Sequence, residues 1–330
     1  MFRLMKTFAA LWIALSVLAG GAHAQPLAPW KPARPAEIVS PASPGGSVDV
    51  MSRAIKRFAE ENKLIDVPLS VLYKTGANGA IALDYMAQNQ GRGEITFASS
   101  HTFLTVRETG DSKHDYRDLT SLGLLFKEYH VIAVKPGGAV ADGPALIEKL
   151  RKDPSSVSFG FFGNPGNHLH LGAAIPLKAA GVDITKLTTV QYRSGPEALT
   201  AVMGGHLDAA LVTLSVAQAL TESGKLKVIS QTAPTRRGGY LANVPTWKEL
   251  GVNIEYATAQ GVLGAKGMTP EQIAYWEGLL AKLSQDAEWK KLLARSFWEP
   301  AYMTSAEMKS YYDAEHAKLR TLLAELKLIK

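Results

Sequence analysis

The sequence feature that most constrains the fold is a glycine-rich turn between an apolar strand and a helical pattern, which occurs twice. The first copy runs from Ile38-Val39 through residues 41–49 into a helical pattern. The second runs from the apolar segment 158–162 through 163–170 into the helical segment 171–180. Repeated strand–turn–helix units predict a parallel α/β sheet, whose ligands bind beyond the carboxyl ends of its strands.

The first of these turns has the composition of an anion site. Gly45 and Gly46 leave no side chain over the loop, so a ligand can approach the main chain there. Ser47 is predicted to be the N-cap of the following helix, its hydroxyl accepting a hydrogen bond from the amide of Asp49 or Val50. The free amides of the first helical turn and the helix dipole favour an anion. A carboxylate or a phosphate is the expected ligand, although a tight turn that binds nothing would look the same.

The rest of the chain continues the α/β pattern. Residues 122–126 and 130–134 are predicted as a pair of strands joined at 127–129, and residues 246–250 as a short helix. Further strands are predicted at 67–72, 95–98, 189–191, 209–212, 228–231, 254–256 and 261–265, and further helices at 80–89, 143–152, 197–203, 271–283, 287–296 and 305–326.

Two α/β domains facing each other across a cleft are the expected assembly of these elements. The C-terminal helical segments begin at the capping residue Thr269 and at Pro270, and their length suggests that they pack back on the first domain. Domain 1 is therefore predicted to be discontinuous, with residues 25–129 and 254–330, and domain 2 to comprise residues 130–253.

The N-terminus has the pattern of a cleavable secretory signal over residues 1–24. Arg3 and Lys6 form a basic start, an apolar stretch follows, and cleavage is predicted after Ala24. The chain has no cysteine, which excludes disulfides, thiolate metal sites and a cysteine nucleophile. Without Arg3 and Lys6, the 36 basic residues become 34 against 30 acidic ones, a net charge of +4. Such a mild excess is poor evidence for nucleic-acid binding.

The candidate ligand-binding residues share one property: they are glycines, small polar residues or aromatic side chains on the loops that follow strands. Uncharged donors there can orient a carboxylate without the cost of a buried cation. The predicted set is Ser43, Gly45, Gly46, Ser47, Asp49, Asn78, Ser99, Ser100, His101, Gly166, Asn167, His168, Tyr192, Thr213 and Ser215.

Several charged residues allow two interpretations. Asp49 either meets a donor group of the ligand or simply stabilises the helix dipole. His168 and His170, two positions apart, do not share a helical face as a zinc pair would, so no metal site is predicted. His170 is expected to brace its loop. Arg107 and Arg193 could clamp a second carboxylate, but solvent-exposed roles are more common for such arginines.

Four motifs in a fixed order then identify a family. They are Pro41…Pro44-Gly45-Gly46…Asp49, Gly76…Gly79, Gly166 with His170-Leu171, and Val190…Tyr192…Gly195-Pro196-Glu197-Ala198-Leu199…Gly204-Gly205…Asp208. In these motifs the chain resembles the periplasmic solute receptors of tripartite tricarboxylate transporters, often called the Bug family. The resemblance extends over nearly the whole mature chain.

The resemblance implies a type II periplasmic-binding-protein fold, with two α/β domains around a ligand cleft and two crossover connections. It implies a periplasmic, monomeric receptor without cofactor or enzymatic activity, which binds a di- or tricarboxylate or an aromatic acid and delivers it to a membrane permease. The chain departs from the common pattern at Ala42, at Asn167 and His168, around Val212 to Ser215, and near Ala259-Gln260. Because these positions lie at the ligand, the identity of the acid does not transfer.

Two alternative functions follow from the same residues. A ligand sensor for a two-component histidine kinase would use the same pocket with a different partner. An exported serine hydrolase would pair a serine with His101, His168 or His170, but the chain has no Gly-x-Ser-x-Gly motif and no acid in an evident orienting role.

Overall fold

The computed structural model describes residues 29–330, so the predicted leader over residues 1–24 lies outside the described part. Residues 31–330 form one compact unit. Its ten strands are β1 (Ala36–Ser40), β2 (Leu69–Tyr73), β3 (Ile95–Ser99), β4 (Thr120–Val134), β5 (Ser158–Phe162), β6 (Thr188–Tyr192), β7 (Ala209–Thr213), β8 (Lys227–Gln231), β9 (Ala257–Gly264) and β10 (Glu299–Met303). The α-helices in residues 29–330 are α1 (Ser47–Glu61), α2 (Ala80–Gln88), α3 (Gly143–Lys152), α4 (His168–Ala179), α5 (Gly195–Gly204), α6 (Leu214–Glu222), α7 (Pro270–Gln285), α8 (Ala287–Arg295) and α9 (Ser305–Glu325). Over the same residues, no helix is both long and apolar enough to span a bilayer.

The strands form one sheet in the order β2-β1-β3-β9-β4-β7-β5-β6, with β8 and β10 also paired to β4. The strands β1, β2 and β3 are mutually parallel, and so are β5, β6 and β7. Strand β9 runs antiparallel to both of its neighbours. The α/β prediction is confirmed, because helices connect the parallel strands within each half of the sheet.

Strand β4 joins the two halves. Its first ten residues pair with β9 and its last five with β7 and β8. The prediction of two strands joined at residues 127–129 is wrong: β4 is one strand of 15 residues. The charged pair Lys127-Glu128 has the composition of a turn, but Glu128 is only 1% exposed and receives hydrogen bonds from other elements.

Two smaller predictions also fail. Residues 246–250 form turns and not a helix: Thr246 and Glu249 exchange the hydrogen bonds of a capping box, but Gly251 adopts a left-handed φ of +82° and the chain leaves the turn. Residues 254–256 precede β9 and are not a strand. The sequence analysis missed α6 and β10. Thr213 is the N-cap of α6 but makes no side-chain capping bond, and the sequence analysis assigned Thr213 and Ser215 to a loop and not to a helix start.

The C-terminal helices begin and pack as expected. The Thr269 hydroxyl accepts from the amide of Gln272, with Pro270 in the first turn of α7. Helix α9 packs on the first strands of the sheet, since the Tyr312 hydroxyl lies 3.0 Å from that of Ser99 in β3.

A layer of histidines lies where β4 passes from β9 to β7, with His101 and His130 buried and His168 half-buried. The rings of His130 and Tyr256 stack with their centroids 5.4 Å apart. The His168 ring lies 5.8 Å from the His130 ring, and the His101 ring lies 6.1 Å from the Tyr256 ring. Burial lowers the pKa of His101 to about 3, with a smaller contribution from Lys127. Burial also lowers the pKa of His168 to about 3, with a smaller contribution from His101. Burial also holds the pKa of His130 well below its usual value. All three rings are therefore neutral in the folded protein.

The close approach of β4 and β9 predicts that Gly261→Ala destabilises the fold. A Cβ on Gly261 would lie 2.3 Å from the Gly123 carbonyl oxygen and 2.7 Å from the Leu124 Cα, so the strands must separate. We expect a loss of about 1–3 kcal/mol in the free energy of unfolding, measured by urea titration. Gly278→Ala is the control: its Cβ meets nothing within 4 Å, and it should gain about 0.5–1 kcal/mol. Equal stability of the two variants would contradict the tight crossing.

The neutral histidine layer predicts a loss of stability in mild acid. Because the folded pKa values lie below the usual 6.5, the unfolded chain takes up protons first, and stability falls as the pH drops below about 6.5 towards the folded values. Each histidine contributes a slope of up to about 1.4 kcal/mol per pH unit. Urea unfolding across this range should give a shallower slope for His168→Gln than for the exposed control His206→Gln. Identical slopes would refute this role of the buried ring.

Candidate functional site

The glycine turn before α1 is exposed, and a hydrogen bond to Asp49 holds its backbone in place. Gly45 and Gly46 are exposed, and a Cβ on either would meet no described atom within 4 Å. The Gly45 amide donates to Asp49 Oδ2 at 2.8 Å, and the Tyr73 hydroxyl donates to Oδ1 at 2.5 Å. Arg53 pairs with the same carboxylate, which is fully buried. Asp49 therefore holds the shape of the turn and does not present its charge to a ligand in this conformation.

Ser47 does not cap α1, so that prediction is wrong. Gly46 is the N-cap, without a side-chain hydrogen bond, and Ser47 is already the first helical residue. Its hydroxyl instead accepts from Gln260 Nε2 at 2.8 Å, because the first turn of α1 lies against β9. The amides of Ser47 and Val48 precede any intrahelical acceptor and are left for an anion at the helix start.

A second helix start, that of α6, reaches the same place from the other half of the sheet. Thr213 is its N-cap and makes no capping bond through its side chain. The Thr213 and Ser215 hydroxyls lie 3.3 Å apart, and the Ser215 hydroxyl donates to Glu128 Oε1 at 3.2 Å. Both helix starts are thus linked to Glu128 by hydrogen bonds. Ser215 bonds Glu128 directly, whereas Ser47 bonds Gln260, which in turn bonds Glu128.

Glu128 is the functional candidate that the sequence analysis missed. Gln260 Nε2 donates to its Oε2 at 2.9 Å, and Trp298 Nε1 to its Oε1 at 3.1 Å. Burial raises the pKa of Glu128, and the side chains of Trp298, Thr213, Ser47 and Ser215 partly oppose that shift. The available signal was a single acidic residue within an otherwise mostly apolar stretch of strand length.

The second glycine turn, before α4, satisfies its own polar groups. Asn167 accepts from the amides of Leu169 and His170, as expected of a capping residue, and donates to the Phe162 carbonyl oxygen at 2.6 Å. The Gly166 amide donates to His170 Nδ1 at 3.0 Å, which is the predicted bracing role. These amides are not free to hold an anion in this conformation.

Further predicted residues lie in different parts of the structure. Ser43 is exposed in the first turn, and Ser100 caps the short 3-10 turn that carries His101. His168 Nδ1 lies 2.8 Å from the Thr102 hydroxyl within the histidine layer. Ser99 is buried and bonded to the Gly261 carbonyl oxygen.

Two loops that follow strands of different halves meet at Asp111. Asn78 donates to Asp111 Oδ2 at 3.0 Å, and Asn164 donates to Oδ1 at 2.9 Å. The Tyr192 ring packs over Gly160, where a Cβ would lie 2.9 Å from it.

Two arginines remain among the charged candidates. Arg107 pairs with Asp115 and Asp118, whereas Arg193 is exposed and only its backbone amide donates to Glu197. Among residues 29–330, no group of three or more His, Asp or Glu side chains is arranged to hold a metal ion.

Comparison with known proteins places this geometry in a family. Protein BugT of Bordetella pertussis is 26% identical over 266 residues, which cover 79% of each chain. A TctC solute-binding protein from Polaromonas is 25% identical, with a TM-score of 0.69 over 89% of this chain and 99% of that one. R. palustris Rpa4515, solved with adipate, is 21% identical, with a TM-score of 0.78 over 90% of this chain and 98% of that one, and supports the fold.

These similarities agree with the motif resemblance found in the sequence and with a two-domain periplasmic-binding-protein fold. The family model described as "Tripartite tricarboxylate transporter family receptor" matches residues 55–328. The chain therefore belongs to the tripartite tricarboxylate transporter receptors, a family of solute receptors and not of enzymes.

Proposed function

We propose that this chain is a periplasmic receptor that captures a small organic carboxylate between two α/β domains and delivers it to a membrane permease. The observation that carries the proposal is the open glycine turn at Gly45 and Gly46, followed by the unpaired first-turn amides of Ser47 and Val48. A helix start of this kind stabilises a carboxylate through its amides and its dipole.

The domains of the proposed receptor are residues 25–129 with 254–330, and residues 130–253. The change of partner strands in β4 supports this division, because Tyr129 pairs with β9 and His130 with β7. Closure would be a hinge motion about β4 and the segment that leads into β9. Export would follow removal of the leader after Ala24, and we expect the mature receptor to be a monomer.

The residues that we propose to contact the acid are a reduced set from the sequence prediction. Ser43, Gly45, Gly46 and Ser47 contribute from the first domain, and Thr213 and Ser215 from the second. Asp49, Ser99, Asn167 and His170 have buried structural partners and would act by holding the loops in place. Adipate, which accompanies Rpa4515, makes aliphatic diacids the first ligands to test.

The proposal predicts ligand-dependent stabilisation that is lost when the turn is blocked. The mature chain is screened by thermal shift against mono-, di- and tricarboxylates and aromatic acids, since saturation at 100 times the dissociation constant adds about 2.7 kcal/mol. Gly46→Val should abolish the shift, because its side chain would cover the first-turn amides, while a Cβ at this position meets no described atom within 4 Å.

Gly278→Val on the exposed face of α7 is the matched control and should retain the shift. A shift that persists in Gly46→Val would exclude the glycine turn as the anion site. The absence of any shift with the whole panel would argue against a carboxylate receptor.

A further inference from the structure

We infer that the ligand of this receptor carries an ammonium group beside its carboxylate, and that Glu128 binds this group. The site would then select aminocarboxylates over plain dicarboxylates. The inference rests on the proposed function and names the ligand class of the same cleft.

The first argument is the charge of Glu128. Its carboxylate is 1% exposed and receives hydrogen bonds from Ser215, Gln260 and Trp298, all of which are neutral. Among residues 29–330, Glu128 forms no ion pair with a lysine, arginine or histidine side chain. Burial without an opposite charge disfavours the ionised form of this acid, and a ligand cation beside it would restore that form.

The second argument is an excess of acceptors around that carboxylate. Gln260 is 3% exposed, and its Oε1 has no hydrogen-bond partner in the described part of the chain. Both hydrogens of its Nε2 are already directed at Ser47 and Glu128. An ammonium offers three donors and no acceptor, which fits this excess. A second carboxylate would bring like charge towards Glu128 and more acceptors.

The third argument is that shared hydrogen-bond partners connect the start of α1 to Glu128. Ser47 makes this connection: its amide is one of the free amides at the start of α1, and its hydroxyl bonds the same Gln260 that bonds Glu128. An acid held at the turn therefore lies close to Glu128. Ser47, which accepts from Gln260, and Ser215, which donates to Glu128, are both half-buried. The geometry favours a short aminocarboxylate.

The test compares compounds of equal length that differ in one end group. Isothermal titration of the mature wild-type chain compares 3-aminopropanoate with succinate, 4-aminobutanoate with glutarate and 5-aminopentanoate with adipate. Aspartate, which is succinate with an added amino group, is also compared with succinate. We expect at least one aminocarboxylate to bind about tenfold or more tightly than its dicarboxylate partner, as a hydrogen bond to a buried charge implies.

Variants locate the effect at Glu128. Glu128→Gln keeps the shape of the side chain and removes its charge, and it should weaken binding of that aminocarboxylate about tenfold or more while leaving dicarboxylates unchanged or tighter. Glu61→Gln, at the exposed far end of α1, is the matched control and should bind as the wild type does.

The outcomes separate this inference from the proposed function. Dicarboxylates that bind as tightly as every aminocarboxylate would keep the receptor and overturn the inference, as would unchanged aminocarboxylate affinity in Glu128→Gln. If Glu128→Gln fails to fold, the wild-type pairs alone decide. If no compound of either series binds, the inference is overturned, and the wider thermal-shift panel decides the proposed receptor.

Discussion

The antiparallel pairing of β4 with β9 is the constraint on which the rest of the molecule depends. It joins two sets of parallel strands into one sheet, and it brings the glycines at positions 123 and 261 so close that a methyl group would not fit between the chains. Because β4 continues into the second set, the helix starts of both halves come to lie beside its central residues. The approach of the two helix starts is thus a consequence of strand pairing.

The position of Glu128 in that strand decides which side chains surround its carboxylate. Residues of a strand alternate between its two faces, so a single side chain can point at the meeting place of two helix starts while its neighbours pack elsewhere. Ser215, Gln260 and Trp298 reach this carboxylate from three different elements. Asp49, by contrast, is neutralised locally by Arg53 and serves the turn. These two acids therefore differ in their surroundings, since Asp49 has a cation beside it and Glu128 has only neutral donors.

Most elements of the fold were predictable because their signals are local. Apolar runs, glycine turns and capping residues such as Asn167 and Thr269 act within a few positions of themselves. The family motifs also gave the fold, and the family comparison confirmed it. The errors arose where distant residues decide the outcome. Glu128 could not be recognised as a strand residue because its partners Gln260 and Trp298 are distant in the chain. The Ser47 hydroxyl bonds Gln260 and does not cap its own helix.

The pairing of β3 with β9 has a consequence for how the protein is made. Ser99 and Gly261 are neighbours in the sheet although 162 positions separate them in the chain. Closing so large a loop is entropically unfavourable until many other contacts exist, and proteins dominated by such pairings fold slowly. The centre of the sheet can therefore form only after almost the whole chain has been synthesised. Until then the parallel strands β1, β2 and β3 lack the antiparallel neighbour that closes their side of the sheet.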